Sequence, residues 1–330
     1  ARGDIDLVVG THALIQEGVS FKRLGLGIID EQHRFGVLQR QTLKRHGTNP
    51  DILLMTATPI PRTLALTLYG DLDVSALDEL PPGRHPIVTR VFNQRRRERV
   101  LELLAHELDA GRQAYVVYPL VSESEKIDLL DATRMARELA AGPLARYRLG
   151  LMHGQMRADE KDAVMRGFRD GEYHVLVCTT VVEVGIDVPN ATVMVIEHAE
   201  HFGLAQLHQL RGRVGRGEHR SLCFLLASYA QGDQARERLR VMEETNDGFR
   251  IAEKDLELRG PGEFLGTRQS GLPDFRAANL LRDGALLRDA QEDAAAWLAA
   301  DPGLVSSASL PLRVVLEARW AGRLELARIG

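Results

Sequence analysis

The sequence predicts an α/β protein built on parallel sheets: a partial lobe, a complete doubly wound lobe, and a C-terminal helical hairpin with further helices. Three observations carry that expectation. Apolar runs of strand length alternate with helical stretches through residues 5–228. The alternation stops near Gln231, and beyond it the segments read as helices around a glycine-dense loop. Pro81-Pro82-Gly83 stands between two alternating regions, as a linker would.

Within residues 1–80, the runs 5–9, 26–29 and 52–55 read as short buried strands, with helices expected over 38–46 and 62–68. Three strands make a thin sheet, so this region is expected to be the second half of a lobe. Residues 81–228 restart the rhythm with strands at 87–92, 114–118, 149–152, 175–178, 193–196 and 222–227. Helices over 97–108, 133–141, 158–168 and 204–211 separate most of them, enough for a doubly wound sheet. A hairpin and loop follow over 229–275, from helices at 231–246 and 250–258 and the loop 260–275. Helices at 276–299 and 310–320 fill the C-terminal segment 276–330.

Composition excludes more than it assigns. Hydrophobic residues at 44% and charged residues at 27% fit a globular chain, not a disordered tail, a collagen rod or a coiled coil. No apolar run approaches the length of a membrane span, and Ala1-Arg2-Gly3-Asp4 lacks the apolar core of a signal peptide. Cys178 and Cys223 sit in apolar runs, where buried reduced thiols of a cytoplasmic protein are expected. The formal charge is −4, with −2 over 1–80, +1 over 81–228 and −3 over 229–330. No region has a basic field, so any nucleic-acid contact must be local, as at Arg211, Arg213, Arg216 and Arg220.

Asp30-Glu31 directly follows a strand, at the edge where parallel sheets bind ligands. An Asp there can hold Mg²⁺ through its water shell, and the adjacent Glu can activate water against a γ-phosphate. A solvated strand end is the other reading, and it is the one given to Asp78-Glu79. Thr56-Ala57-Thr58 after the next strand reads as hydroxyls beside those carboxylates or as a capped turn before Pro59. In Gln209-Leu210-Arg211-Gly212-Arg213-Val214-Gly215-Arg216-Gly217, Arg213 and Arg216 can project together, on a surface turn or as arginine fingers. The sequence distance puts them on the other lobe from Asp30. Carboxylates on one lobe and arginines on the other make a nucleoside-triphosphate site that works on closure.

Asp30-Glu31-Gln32-His33, Thr56-Ala57-Thr58, Thr179-Thr180-Val181-Val182-Glu183-Val184-Gly185-Ile186-Asp187-Val188-Pro189 and the run from Gln209 to Arg216 resemble helicase motifs II, III, V and VI of superfamily 2. Asp30 to Val37, Thr58-Pro59-Ile60-Pro61-Arg62-Thr63 and Leu258 to Gly271 narrow the resemblance to bacterial RecG-type DNA helicases. It covers essentially the whole chain and weakens after about residue 280. The two lobes implied are RecA-like. The substrates implied are ATP with Mg²⁺ and branched or forked DNA, in recombination and repair.

By that resemblance Asp30 is the Mg²⁺-associated carboxylate, Glu31 the catalytic one, and Arg213 and Arg216 the arginine fingers. His33 and Gln209 resemble the pair that communicates across the cleft, and Gly185 and Asp187 match positions contacting nucleotide. Thr179 and Thr180 lie where motif V meets a nucleic-acid backbone. Gly10-Thr11-His12 resembles motif Ib, so Thr11 and His12 would grip DNA; a helix N-cap at Thr11 is the alternative and is compatible with phosphate binding. The loop 260–275 resembles a translocation motif shared with transcription-repair coupling factors. Arg238, Arg259 and Gln269 would then link hydrolysis to duplex movement. A monomer is expected, with single-stranded DNA-binding protein as a further partner and the nucleoid as its place.

Other features are discounted. His198 and His201 lack a third ligand for zinc, Arg95-Arg96-Arg97 reads as a solvated helix start, and Trp297 and Trp320 read as core. None of Lys22, Lys44, Lys126, Lys161 and Lys254 follows a glycine, so the phosphate-cradling G-x-x-x-x-G-K-S/T is missing from these residues. The chain is therefore expected to be a motor segment that is inactive alone. A transcription-repair coupling translocase and a non-catalytic nucleotide- or DNA-binding module are the rival readings.

Overall fold

The computed structural model describes residues 5–15, 19–31, 50–57, 59, 73–79, 81, 83–119, 125–179, 187–228, 232–259 and 282–320. The chain packs as two units, residues 1–58 with 283–330, and residues 59–282.

In the first unit, β1 (Leu26–Ile29) and β2 (Asp51–Leu54) pair in parallel, Ile28 opposite Leu53. Residues 5–9, expected as a strand, form none; Ile5, Leu7 and Val9 are at least 71% exposed. A strand needs a neighbouring ladder for its N–H and C=O groups, and none of the described residues supplies one there. The helices expected over 38–46 and 62–68 lie outside the described residues. Helices α7 (Gly284–Ala300) and α8 (Leu310–Trp320) belong to this unit. Trp297, expected in a core, is 47% exposed; its indole N–H donates to the Oγ of the buried Ser309 at 2.8 Å.

The second unit holds six strands, β3 (Val88–Asn93), β4 (Gln113–Val117), β5 (Leu149–Met152), β6 (Val175–Cys178), β7 (Ala191–Ile196) and β8 (Leu222–Ala227). They pair in parallel throughout, in the order β3-β8-β7-β4-β6-β5. Helices α1 (Arg97–Asp109), α2 (Glu125–Ala141), α3 (Ala158–Arg169), α4 (Leu204–Arg211), α5 (Asp233–Glu244) and α6 (Gly248–Arg259) complete it. Helix α2 starts eight residues before the expected start at 133.

The near-continuous apolar strands follow from burial on both faces. Along β4, Tyr115 and Val117 point to a core shared with α3, α4, α5 and α6, while Ala114 and Val116 point to one with α1 and α2. That two-residue alternation divides the unit into layers. The Tyr115 and Phe168 rings meet edge to face at 4.9 Å. Cys178 and Cys223 are buried and unpaired, and burial raises both thiols, Cys223 to about 12.

Candidate functional site

Strand β1 delivers Asp30 to its carboxyl end, where the side chain is exposed. Asp30 Oδ1 accepts the Glu31 N–H at 2.8 Å, and Glu31 takes φ 53°. A non-glycine residue in the left-handed region is strained, and such strain gathers at functional turns. Asp30 is thus presented to solvent, whereas Glu31 is half-buried with its Oε2 enclosed. His33 lies outside the described residues.

Two loops meet in the second unit. Asp187 to Asn190 enter β7, and Gly212 to Arg220 enter β8 from α4. A Cβ on Gly217 would stand 2.5 Å from the Pro189 carbonyl oxygen, so only glycine lets the backbones approach this closely. Across that contact Arg216 Nη1 lies 3.6 Å from Asp187 Oδ1, and Arg216 Nε donates to the Gly212 carbonyl at 3.2 Å. The charges of Arg213, Arg216 and Asp187 all bear on the Tyr115 hydroxyl, whose pKa is raised first of all by burial. Arg216 and Asp187 therefore face each other across the two loops. Gly185 and Thr180 lie outside the described residues.

Arg211 differs from its neighbours. Expected beside Arg213 as a local nucleic-acid contact, it is instead 2% exposed. Its Nη1 donates to the carbonyls of Met242 (2.9 Å) and Thr245 (2.8 Å) and lies 3.4 Å from Thr89 Oγ1. The last turn of α5 thus docks on α4. Arg211 Nη2 lies 3.1 Å from His208 Nδ1; a guanidinium can only donate, so Nδ1 accepts and the ring proton is assigned to Nε2. His208 is neutral and held to about 4, first by burial and then by the Arg211 charge, against the pull of Asp247. Gln209, between these two residues, is half-buried.

The hairpin arginines converge on the entry to α4. Arg238 Nη2 donates to the Glu200 carbonyl at 3.0 Å. Arg259 Nε is 3.0 Å from the buried Asp255, and a Cβ on Gly203, the N-cap of α4, would stand 2.7 Å from Arg259 Nη2. Both helices of the hairpin therefore hold residues 200–203. Gln269 lies outside the described residues, as does the loop 260–275.

At the carboxyl ends of β5 and β6, Thr179 N–H donates to the Met152 carbonyl at 3.3 Å. Thr179 Oγ1 and His153 Nδ1 are buried there without a hydrogen-bond partner among the described residues. Thr11 is exposed and precedes a short 3₁₀ turn (His12–Ile15); the His12 side chain lies outside the described residues.

Arg97 is not a solvated helix start. It pairs with Glu197, 1% exposed at the end of β7, and donates to Tyr118 Oη at 3.2 Å. Gln94 Nε2 donates to the same carboxylate at 2.9 Å. Glu197 was available as a signal, being a carboxylate directly after an apolar strand. Among the described residues no group of three or more His, Cys, Asp or Glu could hold a metal ion. None of their helices is long and apolar enough to cross a membrane.

Comparison with known proteins decides the family. The helicase conserved C-terminal domain matches residues 95–218, and domain 3 of the ATP-dependent DNA helicase RecG, C-terminal, matches 245–316. The chain is 55% identical over 313 residues to the ATP-dependent DNA helicase RecG of Synechocystis, 95% of this chain and 38% of that protein. It is 54% identical over 301 residues to that of Bacillus subtilis, 91% of this chain and 44% of that protein. The chain belongs to the RecG family. A solved structure of RecG bound to a three-way DNA junction matches at TM-score 0.66 and 51% identity, over 87% of this chain and 36% of that one. The chain thus spans about two fifths of its RecG relatives, and the arginine cluster falls within the matched helicase domain.

His208 sets a pH dependence. Above pH 6.5 the ring is neutral whether folded or unfolded, and its contribution to stability is complete. Between about 6.5 and about 4 the unfolded chain takes up the proton and the folded one does not, so stability falls as pH falls. His208→Asn keeps an acceptor near the Nδ1 position without titrating. Urea midpoints measured from pH 7 to pH 4 should fall more steeply in the wild type, by up to about 3 kcal/mol in all. Equal slopes would remove His208 as the cause.

Proposed function

We propose that this chain is the motor segment of an ATP-driven DNA translocase that remodels branched DNA, reversing stalled forks and migrating junctions. The observation that carries the reading is the match to a RecG structure bound to a three-way DNA junction, at 51% identity over 87% of the chain. In this reading Asp30, Glu31, Arg213 and Arg216 serve hydrolysis, and His33, Gly185, Asp187 and Gln209 serve nucleotide contact. Thr11, His12, Thr179 and Thr180 meet the DNA backbone.

Mg²⁺ fits the residues present in one specific way. Asp30 offers a single hard oxygen donor set at an exposed strand end, and the described residues hold no protein cage. Mg²⁺ usually takes one or two carboxylates and keeps water and nucleotide phosphates for the rest. When bound with ATP it would neutralise charge on the β- and γ-phosphates. Glu31 would accept the proton of the attacking water, and the Arg213 and Arg216 guanidinium groups would stabilise charge on the transferred phosphoryl oxygens. Arg238 and Arg259, seated against residues 200–203, would pass movement of α4 to the hairpin, the loop 260–275 and Gln269. Acting on chromosomal DNA, the whole protein would work in the cytoplasm at the nucleoid.

Four outcomes test this. The 330 residues alone should not hydrolyse ATP, because they contain no phosphate-cradling loop with its lysine; turnover in a preparation free of contaminating ATPase would overturn it. In the full-length protein, Glu31→Gln should bind nucleotide yet nearly abolish hydrolysis, and Arg216→Ala should slow it by about 10³-fold. Normal single-turnover rates would remove either residue from catalysis. Arg259→Ala should keep much of the DNA-stimulated ATPase while fork reversal fails, both measured on one preparation; proportional loss of the two would assign Arg259 to folding or catalysis.

A further inference from the structure

The residues on either side of the expected linker do more than connect. Gly83 takes φ 80°, which glycine adopts without strain, and the Arg84 N–H donates to the Pro81 carbonyl at 3.3 Å, closing a turn. The turn delivers Arg84, half-buried, to the loop between α4 and β8. Arg84 Nε donates to the Gly215 carbonyl at 3.0 Å. Gly215 itself takes φ 77°, and a Cβ there would stand 2.9 Å from Ile87 Cγ1. Val88, next along, donates its N–H to the Ser221 carbonyl at 3.0 Å. The segment 84–88 therefore clasps the loop 212–221 from one side while Pro189 meets Gly217 from the other.

We infer that Arg84 is a positioning residue for the arginine fingers: its bond to the Gly215 carbonyl fixes the backbone from which Arg213 and Arg216 project. This rests on the proposed role of those two arginines in hydrolysis. The physical case is directional. Arg213 and Arg216 flank Gly215 by two residues and one, so a shift of that peptide moves both guanidinium groups. A glycine with positive φ offers little resistance of its own. Among the described residues no carboxylate lies within ion-pair distance of Arg84, and its side-chain partner is this one carbonyl. Because phosphoryl transfer depends on positioning, an error of about an ångström in a finger costs on the order of 10²-fold in rate.

Substitution separates the donor from the charge. In Arg84→Gln the amide nitrogen falls at the same place along the side chain as Nε and donates without charge. Arg84→Met fills similar space and donates nothing. In the full-length protein, Arg84→Met should lower kcat for DNA-stimulated ATP hydrolysis by about 10- to 100-fold with KM for ATP within about twofold, since a finger acts in the transition state. Arg84→Gln should recover most of that loss. In an Arg216→Ala background, Arg84→Met should cost little more, as expected of residues acting through one loop. A normal rate in Arg84→Met, an equal defect in Arg84→Gln, or full additivity with Arg216→Ala would each overturn the inference. A normal rate in Arg216→Ala would instead sink the finger assignment beneath it, so the two failures are distinguishable.

Discussion

A guanidinium taken out of water must place its donors on protein oxygens, because leaving a buried charge unpaired costs several kcal/mol. Arg211 meets that demand with backbone carbonyls, not with a carboxylate. Burial lowers its pKa, but a guanidinium keeps its proton in proteins, so the carbonyls of Met242 and Thr245 are held to a cation. Those carbonyls stand at the end of α5, where a helix leaves its last C=O groups without internal partners. One side chain thus completes the helix end and fixes α5 on α4. Arg238, two turns back on α5, then reaches the Glu200 carbonyl. Arg259 on α6 comes against Gly203. The placement of the hairpin follows from a cation inside motif VI.

The sheet makes this arrangement stiff. Strands β4 and β7 are buried on both faces, and Val117, Val193, Val195 and Ile196 are fully enclosed. Close-packed interiors do not deform continuously, so the loops entering β7 and β8 are set by strand register. Register pairs Val193 with Leu222, which brings the two loop ends side by side. The approach of Gly217 to Pro189 and the pairing of Arg216 with Asp187 follow from that neighbourhood.

Most of this fold was legible in the sequence, and for a physical reason. All six strands and the six described helices of the second unit stand where the sequence pattern puts them, within a residue or two except at the start of α2. The strand expected over 5–9 failed because a period of two records a capacity to pair, not the presence of a partner. The site divides in the same way. Arg213 and Arg216 could be paired from their i, i+3 spacing, whereas Asp187 entered only through the family resemblance. Arg211 was misread because a basic residue in a glycine-rich run looks solvated whatever encloses it. Arg97 was misjudged as part of a solvated helix start, and Arg84 and Glu197 escaped notice, because their partners are 100 or more residues away and pairing over that distance leaves no local pattern.

Arg211 and Arg216, five residues apart, show how burial assigns opposite duties to one residue type. Arg216 is about one-third exposed and its partner Asp187 about half exposed, with 3.6 Å between them. An ion pair so open to water is worth at most about 1 kcal/mol, and its remaining bond is to one carbonyl. A phosphate oxygen can take that guanidinium over at little cost, with bidentate geometry in its favour. Arg211 has no such freedom, since releasing it would strand a charge and two carbonyls in the core. The two cannot exchange roles. The chain between them is short and capped at Gly212, so the mobile guanidinium is carried on the fixed one. Movement of α4 would therefore carry Arg216 with it, together with the hairpin that Arg211 attaches to the same helix.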